Sequence, residues 1–575
     1  MKNQEIAGTF ARIADLMDIL GEDVFRVNSY RKASRVIEEL PEPIEDFAAA
    51  GTLQEIPGIG KSTAEKIRQY LSSGKVALHE ELKAKVPPKL TGLLGISGLG
   101  PKTAAKLWKQ ANITSVEELK EAIAKDPSRL TEIEGLGQKK VRQIAESLVF
   151  LQSAGGRIRL GEADQLASAL IEAVGKCKGA KRVAAAGSLR RGKETIGDID
   201  LLCHAPASAA EEIIECFAAA PDVQRVLAKG GTKGSVVLRG DVQADLRVVQ
   251  KVEYGSALAY FTGSKAHNIR LRELAARKGL KLNEYGLFRG EERIAGADEE
   301  GIYEVLGLQV VPPELREDHG EVEAAIEGRL PELLRGQDIR GDLHMHTTAS
   351  DGTSTIEEMV EACRKRGYAY LVISEHSKSQ VQANGLDEKR LEAHVAAIRK
   401  AAKRYDDIEV LAGIEVDVFK DGSLDFASDV LAGLDFVTAS AHSALSLGLR
   451  EATRRLIKAI EHPHVHSIGH PTGRMINTRP GMEIDIDEVA AAAASNNVAL
   501  EINAHYYRLD LRDTHVRAAI QKGAKLVINT DAHCLADLEM MKYGVTTARR
   551  GWATAEDVIN TYPPAKLRKW IAQKR

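Results

Sequence analysis

Residues 187–202 read "GSLRRGKETIGDIDLL", and the fold of the middle of the chain turns on this stretch. Gly187 and Ser188 interrupt the apolar run "VAAA", and "DIDLL" alternates before it becomes fully apolar, so the pattern predicts a turn feeding a strand. Side chains two apart on a strand share a face, which sets Asp198 and Asp200 side by side. Adjacent carboxylates repel each other, and a divalent cation between them keeps both ionised. Arg190, Arg191 and Lys193 suit an anion brought to that cation; the plainer reading of the stretch alone is a strand end with scattered surface charges. Further on, "DVQADLRVV" at 241–249 alternates like a strand and carries Asp245. A third carboxylate on a neighbouring strand would complete a two-metal site suited to in-line phosphoryl transfer.

The surrounding chain has 575 residues, too many for one core, and at about 150 residues per domain it predicts three to five units. Hydrophobic content of 44% and charged content of 28% are those of soluble globular protein. A net charge of -3 neither requires nor excludes a nucleic-acid partner. Cys177, Cys203, Cys216, Cys363 and Cys534 are scattered without a C-x-x-C pair, which argues against a disulfide scaffold or a zinc ribbon and for a reducing cytoplasm. The N-terminus is an amphipathic helical pattern with Glu and Asp throughout, unlike a signal peptide, and no apolar run reaches membrane-spanning length.

Toward the N-terminus three segments repeat one theme: "IPGIGKSTAEKI" from Ile56, "ISGLGPKTAAKLW" from Ile96 and "IEGLGQKKVRQI" from Ile133. Each places a Gly-x-Gly turn (Gly58 and Gly60, Gly98 and Gly100, Gly135 and Gly137) before a basic helix, with Lys61, Lys102 and Lys139 beside the turns. Such a turn admits a close backbone approach and leaves helix N–H groups open to a phosphate oxygen. Affinity of this kind is sequence-independent and salt-sensitive. A single copy reads as an ordinary helical packing unit; three copies resemble the helix-hairpin-helix motif of DNA repair and replication proteins.

From Gly341 the character changes, and histidines fall at apolar strand ends: "GDLHMHTTASDG", "LVISEHS", "LAGIEVDV", "VTASAHS", "HSIGHPTG", "EINAH" and "VINTDAHC". Strands followed by helical patterns predict repeating βα units, whose C-terminal strand ends converge on one mouth of a barrel. By spacing His344 shares a face with His346, and Asp531 with His533. Imidazole and carboxylate together suit Zn²⁺ or Mn²⁺, in a cluster large enough for more than one ion. His462, His464, His466 and His505 fall outside the pattern.

Residues 1–317 resemble the family X DNA polymerases: "GSLRRGK…GDIDLL", "ADLRVV", "YFTGS" and "LNEYGLF" occur in that order at family-like separations. The resemblance implies that Asp198 and Asp200 bind both metal ions, Mg²⁺ or Mn²⁺, and that Asp245 binds the catalytic one. It implies that Arg157, Ser188, Arg191 and Gly197 hold the incoming triphosphate, that Tyr260, Phe261 and Gly263 pack on its sugar, and that Asn268 and Arg272 contact the nascent pair and template. Gln243 stands where vertebrate relatives carry an arginine. "FRVNSYRKAS" from Phe25 and "GIGKSTAEKI" from Gly58 are similar to the family's deoxyribose-phosphate lyase domain, with Lys66 at the Schiff-base position and Phe25 and Arg26 in place of the usual histidine and lysine. Residues 341–575 resemble the polymerase and histidinol phosphatase (PHP) domain, a distorted (β/α)7 barrel. By that resemblance His344, His346 and Asp531 hold one ion, His442 and His470 a second, Asp351, His376 and His533 a third, and Glu415 bridges the first two, with Mn²⁺ or Zn²⁺ as the ions.

The reading that follows is a multidomain α and α/β chain. Residues 1–85 form a helical lyase-like DNA-binding domain, 86–155 a helix-hairpin-helix domain, and 156–257 a nucleotidyltransferase palm. Residues 258–317 form a thumb-like subdomain that binds the nascent base pair, 318–340 a linker, and 341–575 the PHP barrel. The expected activity is DNA-directed gap filling in base-excision repair from dNTPs on gapped or nicked duplex, with 3′–5′ exonuclease and AP-endonuclease cleavage in the barrel, by a cytoplasmic monomer. The alternatives are a barrel acting as a small-molecule phosphatase, for which the DNA-binding hairpins have no use, and a non-catalytic DNA-binding scaffold, for which the complete ligand sets have none.

Overall fold

In the computed structural model, residues 2–40, 43–56, 58–96, 99–138, 140–142, 144, 145, 148 and 156–574 are described. The chain forms two compact units, one of Met1–Ala154 with Asn477–Pro480 and Cys534–Ala536, and a larger body of Gly155–Ile476, Gly481–His533 and Asp537–Arg575.

The N-terminal unit is all helical, with main helices Lys2–Leu20, Val24–Glu39, Ile44–Ala50, Lys61–Ser73, Ala77–Ala84, Pro101–Ala111 and Val116–Lys125. Ile6, Phe10, Ile13 and Met17 recur at helical spacing on the first and are fully buried. One hydrophobic core runs from Ile6 to Leu148, and it takes in Ile59, Leu99 and Leu136, the apolar residues between the paired glycines.

The body opens with the short strands β1 (Ile158–Arg159) and β3 (Thr195–Ile196), paired antiparallel. The main sheet of this part contains β2 (Arg182–Ala185), β4 (Asp198–His204), β5 (Val223–Lys229), β6 (Lys233–Leu238) and β7 (Val242–Val249), in the order β2-β4-β7-β6-β5. Alternation sets the two faces of β7: Val242, Ala244, Leu246 and Val248 are buried, and Gln243, Asp245 and Arg247 face the other way. Ile199, Leu201 and Cys203 of β4 join the same core, against helices Leu160–Gly175 and Ala210–Ala218. Cys177 and Cys216, 39 residues apart, lie side by side with Cα atoms 6.5 Å apart, a single pairing that no spacing motif announced. Next come helices Tyr254–Thr262 and Lys265–Arg277 and a small antiparallel sheet of β8 (Lys281–Asn283), β9 (Gly286–Arg289) and β10 (Glu292–Ala295). In the segment 318–340, helix Glu321–Ile326 and Leu333 pack on this subdomain, and the Leu334 N–H donates to Ala553 O at 2.9 Å.

The C-terminal region is a seven-stranded parallel sheet in sequential order: β11 (Gly341–Asp342), β12 (Tyr370–Ile373), β13 (Glu409–Asp417), β14 (Phe436–Ser440), β15 (Ser467–Gly469), β16 (Ala499–Asn503) and β17 (Lys525–Asn529). A parallel bridge between Met345 and Ala532 brings the first and last strands together just beyond their ends, so the sheet nearly closes into a barrel. Its strands are buried on both faces, which accounts for their near-continuous apolar runs. Helix Leu160–Gly175 packs on this barrel through Gly161, where a Cβ would fall 2.3 Å from the Tyr506 ring.

Candidate active sites and nucleic-acid interface

Strands β4 and β7 run parallel with Asp200 directly opposite Asp245 and Asp198 opposite Gln243. Asp198, Asp200 and Asp245 therefore occupy one face, as their spacing predicts. Gly187 makes the crowding tolerable: its φ is +59°, and a Cβ there would sit 2.2 Å from Asp200 Oδ2. Burial, then the charges of Asp198 and Asp245, push the Asp200 carboxyl up to about 6. Asp245 is held by Ser235 Oγ from β6 and by Gln243 Nε2 at 3.3 Å, and Lys233 Nζ lies 4.0 Å from it. Neither Ser235 nor Lys233 was singled out from sequence. Only the pairing of β6 with β7, which sets Ser235 opposite Asp245, brings them in.

Residues 187–190 form one helical turn that presents Ser188 and Arg191 at the end of β2. Arg191 donates to Thr262 O and, through Nε, to Glu317 at 3.1 Å, next to Gly263 with φ +70°. Tyr260 and Phe261 meet edge to face at 5.2 Å, and Arg247 lies 4.4 Å over the Phe261 ring. Asn268 donates to Tyr260 O at 2.7 Å, and Arg272 to Asn268 O at 3.3 Å. Arg157 donates to the Thr195 hydroxyl and carbonyl, and a Cβ on Gly197 would come within 2.9 Å of its guanidinium.

At the barrel mouth Glu415, 1% exposed, is the hub. Its Oε1 lies 3.0 Å from His470 Nε2, 3.3 Å from His442 Nε2 and 3.5 Å from His344 Nε2, and its Oε2 lies 2.7 Å from His376 Nδ1. Asp531 Oδ1 is 3.1 Å from His346 and 3.5 Å from His344. Asp351 Oδ1 is 3.4 Å from His533 and 3.5 Å from His376. Three sets of ligand atoms converge closely enough to hold an ion: His344 with His346 and Asp531; Asp351 with His346, His376 and His533; and Glu415 with His376 and His442. His376 thus stands between two sets, and His470 reaches the third through Glu415.

Charge and burial at this mouth oppose each other. Burial would raise Glu415, yet the surrounding His442, His376 and His344 hold it well below the usual carboxylate range. Burial, then His533 and His376, bring His346 down to about 4. Among the described residues, His344 Nε2 and Glu415 Oε2 are buried without a hydrogen bond. Unsatisfied buried nitrogen and oxygen atoms within these converging sets form the donors of a borderline cation, so the residues fit a metal. The palm triad, all oxygen, fits a hard cation.

Behind the mouth lies a shell of carboxylates not assigned from sequence. Glu501 accepts from His344 Nδ1 at 2.8 Å, His470 N at 2.6 Å and Asn529 Nδ2 at 2.8 Å. Asp417 accepts from His442 Nδ1 at 3.2 Å, and Glu375 from Thr347 and Ser350, which shape the loop leading to Asp351. Arg508 Nε is 3.8 Å from Asp531, a cation beside the mouth. The sequence signal for Glu501 was present, an acid inside the apolar strand "ALEIN", but its role depends on cross-strand neighbours. His466, by contrast, stacks on Phe436 and accepts from Val437 N, a packing role.

In the N-terminal unit the three hairpins share one geometry. Ile59 N donates to Ile56 O, Leu99 N to Ile96 O and Leu136 N to Ile133 O, at 3.0, 3.0 and 2.9 Å. Gly60 and Gly100 are the N-caps of their helices and offer no side chain to the first N–H groups. Lys61, Lys102, Gly135 and Gly137 lie at these turns, Gly58 takes φ +98° and Gly135 φ +84°; Gly98 and Lys139 lie outside the described residues. Lys66 is half-buried, donates to Ser62 Oγ at 2.8 Å and sits 5.8 Å from the Tyr30 ring. Phe25 is 85% exposed, and Arg26 pairs with Glu22 at 2.7 Å.

Five families match along the chain: a helix-hairpin-helix domain over residues 1–76, a helix-hairpin-helix tandem over 90–149, the DNA polymerase beta palm over 157–235, the DNA polymerase beta thumb over 257–317 and the PHP domain over 342–505. The order and kind of these matches define a family X polymerase joined to a PHP barrel. The DNA polymerase/3′-5′ exonuclease PolX of Bacillus subtilis (strain 168) is 37% identical over 567 residues, 97% of each chain. The chain belongs to the family X DNA polymerases that carry a C-terminal PHP domain. The barrel alone also matches proteins named as probable phosphatases, one from Thermoanaerobacter sp. (strain X514) at 26% identity over 41% of this chain and 95% of its own, and one from Shewanella sp. (strain MR-4) at 30% over 40% and 91%.

A carboxyl raised from 3.8 to about 6 in the folded state favours folding at low pH, and this contribution is lost as pH rises through 6, by about 3 kcal/mol in all. Calorimetry in a chelator at pH 7.5 should accordingly find Asp200→Asn more stable than wild type, with the gain shrinking toward pH 4 and Mn²⁺ stabilising only the wild type at this site. Glu501→Gln should weaken Mn²⁺ binding at the barrel by roughly 10- to 100-fold in a metal titration while primer extension stays unchanged, because the lost acceptor orients His344 and the His470 backbone.

Proposed function

We propose that the chain fills short gaps in duplex DNA from dNTPs and removes nucleotides from 3′ ends in its barrel, in base-excision repair. The observation that carries the reading is the in-register pairing of Asp200 with Asp245 beside Asp198, under the arginine-bearing turn that begins at Gly187. The related Bacillus subtilis protein, named as a polymerase and 3′–5′ exonuclease, supports it.

In this reading Asp198, Asp200 and Asp245 hold Mg²⁺ or Mn²⁺, which when bound acidifies a hydroxyl and neutralises charge for in-line displacement. Ser188, Arg191, Arg157 and Gly197 receive the triphosphate, and Tyr260, Phe261 and Gly263 flank its sugar. Asn268 and Arg272 face the nascent pair. Ser235 and Gln243 fix Asp245, and Lys233 supplies near it the positive charge that Gln243 lacks. In the barrel the nine ligand residues hold up to three ions, Mn²⁺ or Zn²⁺, and Arg508 receives a backbone phosphate; the same centre cuts at abasic sites. The hairpin turns grip the DNA backbone. The domain limits are those drawn from sequence, the working form is a monomer in the cytoplasm, and among the described residues no helix is long and apolar enough to cross a membrane.

Separation of the two centres is the test. Asp198→Ala or Asp200→Ala should abolish extension of a gapped primer and leave 3′ trimming intact, while His344→Ala with His346→Ala should do the reverse, both resolved as labelled products by size. Loss of both activities in either folded variant would contradict the assignment.

The lyase reading of Lys66 rests on its place early in helix Lys61–Ser73, one turn from the open N-terminus where a sugar phosphate binds well. Borohydride should trap wild type on a 5′-deoxyribose phosphate end and trap Lys66→Ala far less. Equal adduct in both would assign the chemistry to another amine.

A further inference from the structure

Helix Met541–Arg550 belongs to the barrel, yet its end lies against the polymerase. Gly192, with φ +66°, follows Arg191 in the turn, and a Cβ there would fall 2.1 Å from Thr546 Cγ2, so the helix is seated directly on the turn. Arg550, its last residue, has a side chain only 4% exposed. From the barrel it grips Asp513 through Nε at 2.8 Å and Nη2 at 2.7 Å. Its remaining nitrogen, Nη1, reaches three groups of the polymerase: Arg191 O at 2.7 Å, Glu317 Oε1 at 3.0 Å and Glu314 O at 3.3 Å.

The same Glu317 oxygen also accepts from Arg191 Nε. Arg191 is thereby fixed twice by one guanidinium, through its own carbonyl and through the carboxylate its side chain leans on. An acceptor divided between two guanidinium groups binds each less completely than it would bind one, so Arg550 both places Glu317 and limits its hold on Arg191. Burial and the double pairing with Asp513 make Arg550 itself immobile. Neighbouring contacts brace the same junction: Arg549 pairs with Glu314 at 2.7 Å, and Arg474 with Glu194 at 2.7 Å.

We propose that Arg550 is a positioning residue for nucleotide addition, by which the PHP barrel sets the direction of Arg191 toward the incoming triphosphate. The inference rests on the reading of Arg191 as a triphosphate ligand. Arg550 touches no reacting group, so its effect falls on dNTP binding more than on the chemical step.

Single-nucleotide insertion into a gapped duplex tests it, with 3′ trimming of single-stranded DNA measured on the same preparations. Arg550→Met combined with Asp513→Asn removes the guanidinium without leaving a buried carboxylate unpaired, and Arg550→Lys keeps a charge with fewer donors. The expected result for the double variant is a rise of about tenfold or more in KM for dNTP, the scale of one charge-assisted hydrogen bond, with kcat changed much less. Trimming should be unchanged, and Arg550→Lys should recover part of the loss. Glu317→Gln added to Arg550→Lys should give less than the product of the two separate effects. Arg191→Ala, run alongside, must raise the same KM. A normal KM in Arg191→Ala would remove the reading of Arg191, whereas a raised KM there with a normal KM in both Arg550 variants would overturn the positioning role.

Discussion

Asp200 and Asp245 face each other across two parallel strands, with Asp198 one pleat away, and none of the three has the choice of turning aside. Their backbones are fixed by a register that also buries Ile199, Leu201, Ala244 and Leu246 beneath them. A one-residue slip would put these apolar side chains in water and the carboxylates in the core, so the hydrophobic pattern enforces the electrostatic conflict. Gly187 is part of the same constraint, because any larger residue there would displace the Asp200 carboxylate. The fold thus holds like charges together, a conflict that a bound cation would relieve.

The barrel meets a similar problem by different means. Its central carboxylate, Glu415, is buried among imidazoles, and three of the groups around it are backed by another acid or amide further out: Glu501 behind His344, Asp417 behind His442, Asn503 behind Asp531. Ligand directions are therefore set before an ion arrives. The proteins named as probable phosphatases match this region over nearly their whole length on about two-fifths of the chain, so a barrel of this kind occurs without the polymerase part. Here its helix Met541–Arg550 additionally carries a contact to the polymerase turn.

Much of this was legible in the sequence because the candidate site residues sit where periodicity is strong. "DIDLL", "ADLRVV" and the histidines at apolar strand ends each mark a strand and a face at once, and the three Gly-x-Gly segments mark turns whose hydrogen bonds prove alike. What stayed hidden depends on which strands become neighbours. Ser235 and Lys233 reach Asp245 only because β6 pairs with β7, and Glu501 reads as an isolated acid until β16 lies beside β15 and β17. Arg550 reads as a basic residue at a helix end, the commonest place for one, and nothing local distinguishes it from Arg549. The closeness of Cys177 and Cys216 was hidden for the same reason, since Cys177 lies just past the end of helix Leu160–Gly175 and Cys216 on helix Ala210–Ala218, which meet only in the folded core.

The account stands on two separate sets of residues built to hold divalent cations, one of oxygens and one of imidazoles and carboxylates. Crystals grown or soaked in Mn²⁺ and measured near its absorption edge show where the ion binds, independent of any activity. The anomalous difference map should hold density among Asp198, Asp200 and Asp245 and again among the ligands around Glu415. Ions bound elsewhere on the protein, with either set left bare at the same Mn²⁺ concentration, would contradict it.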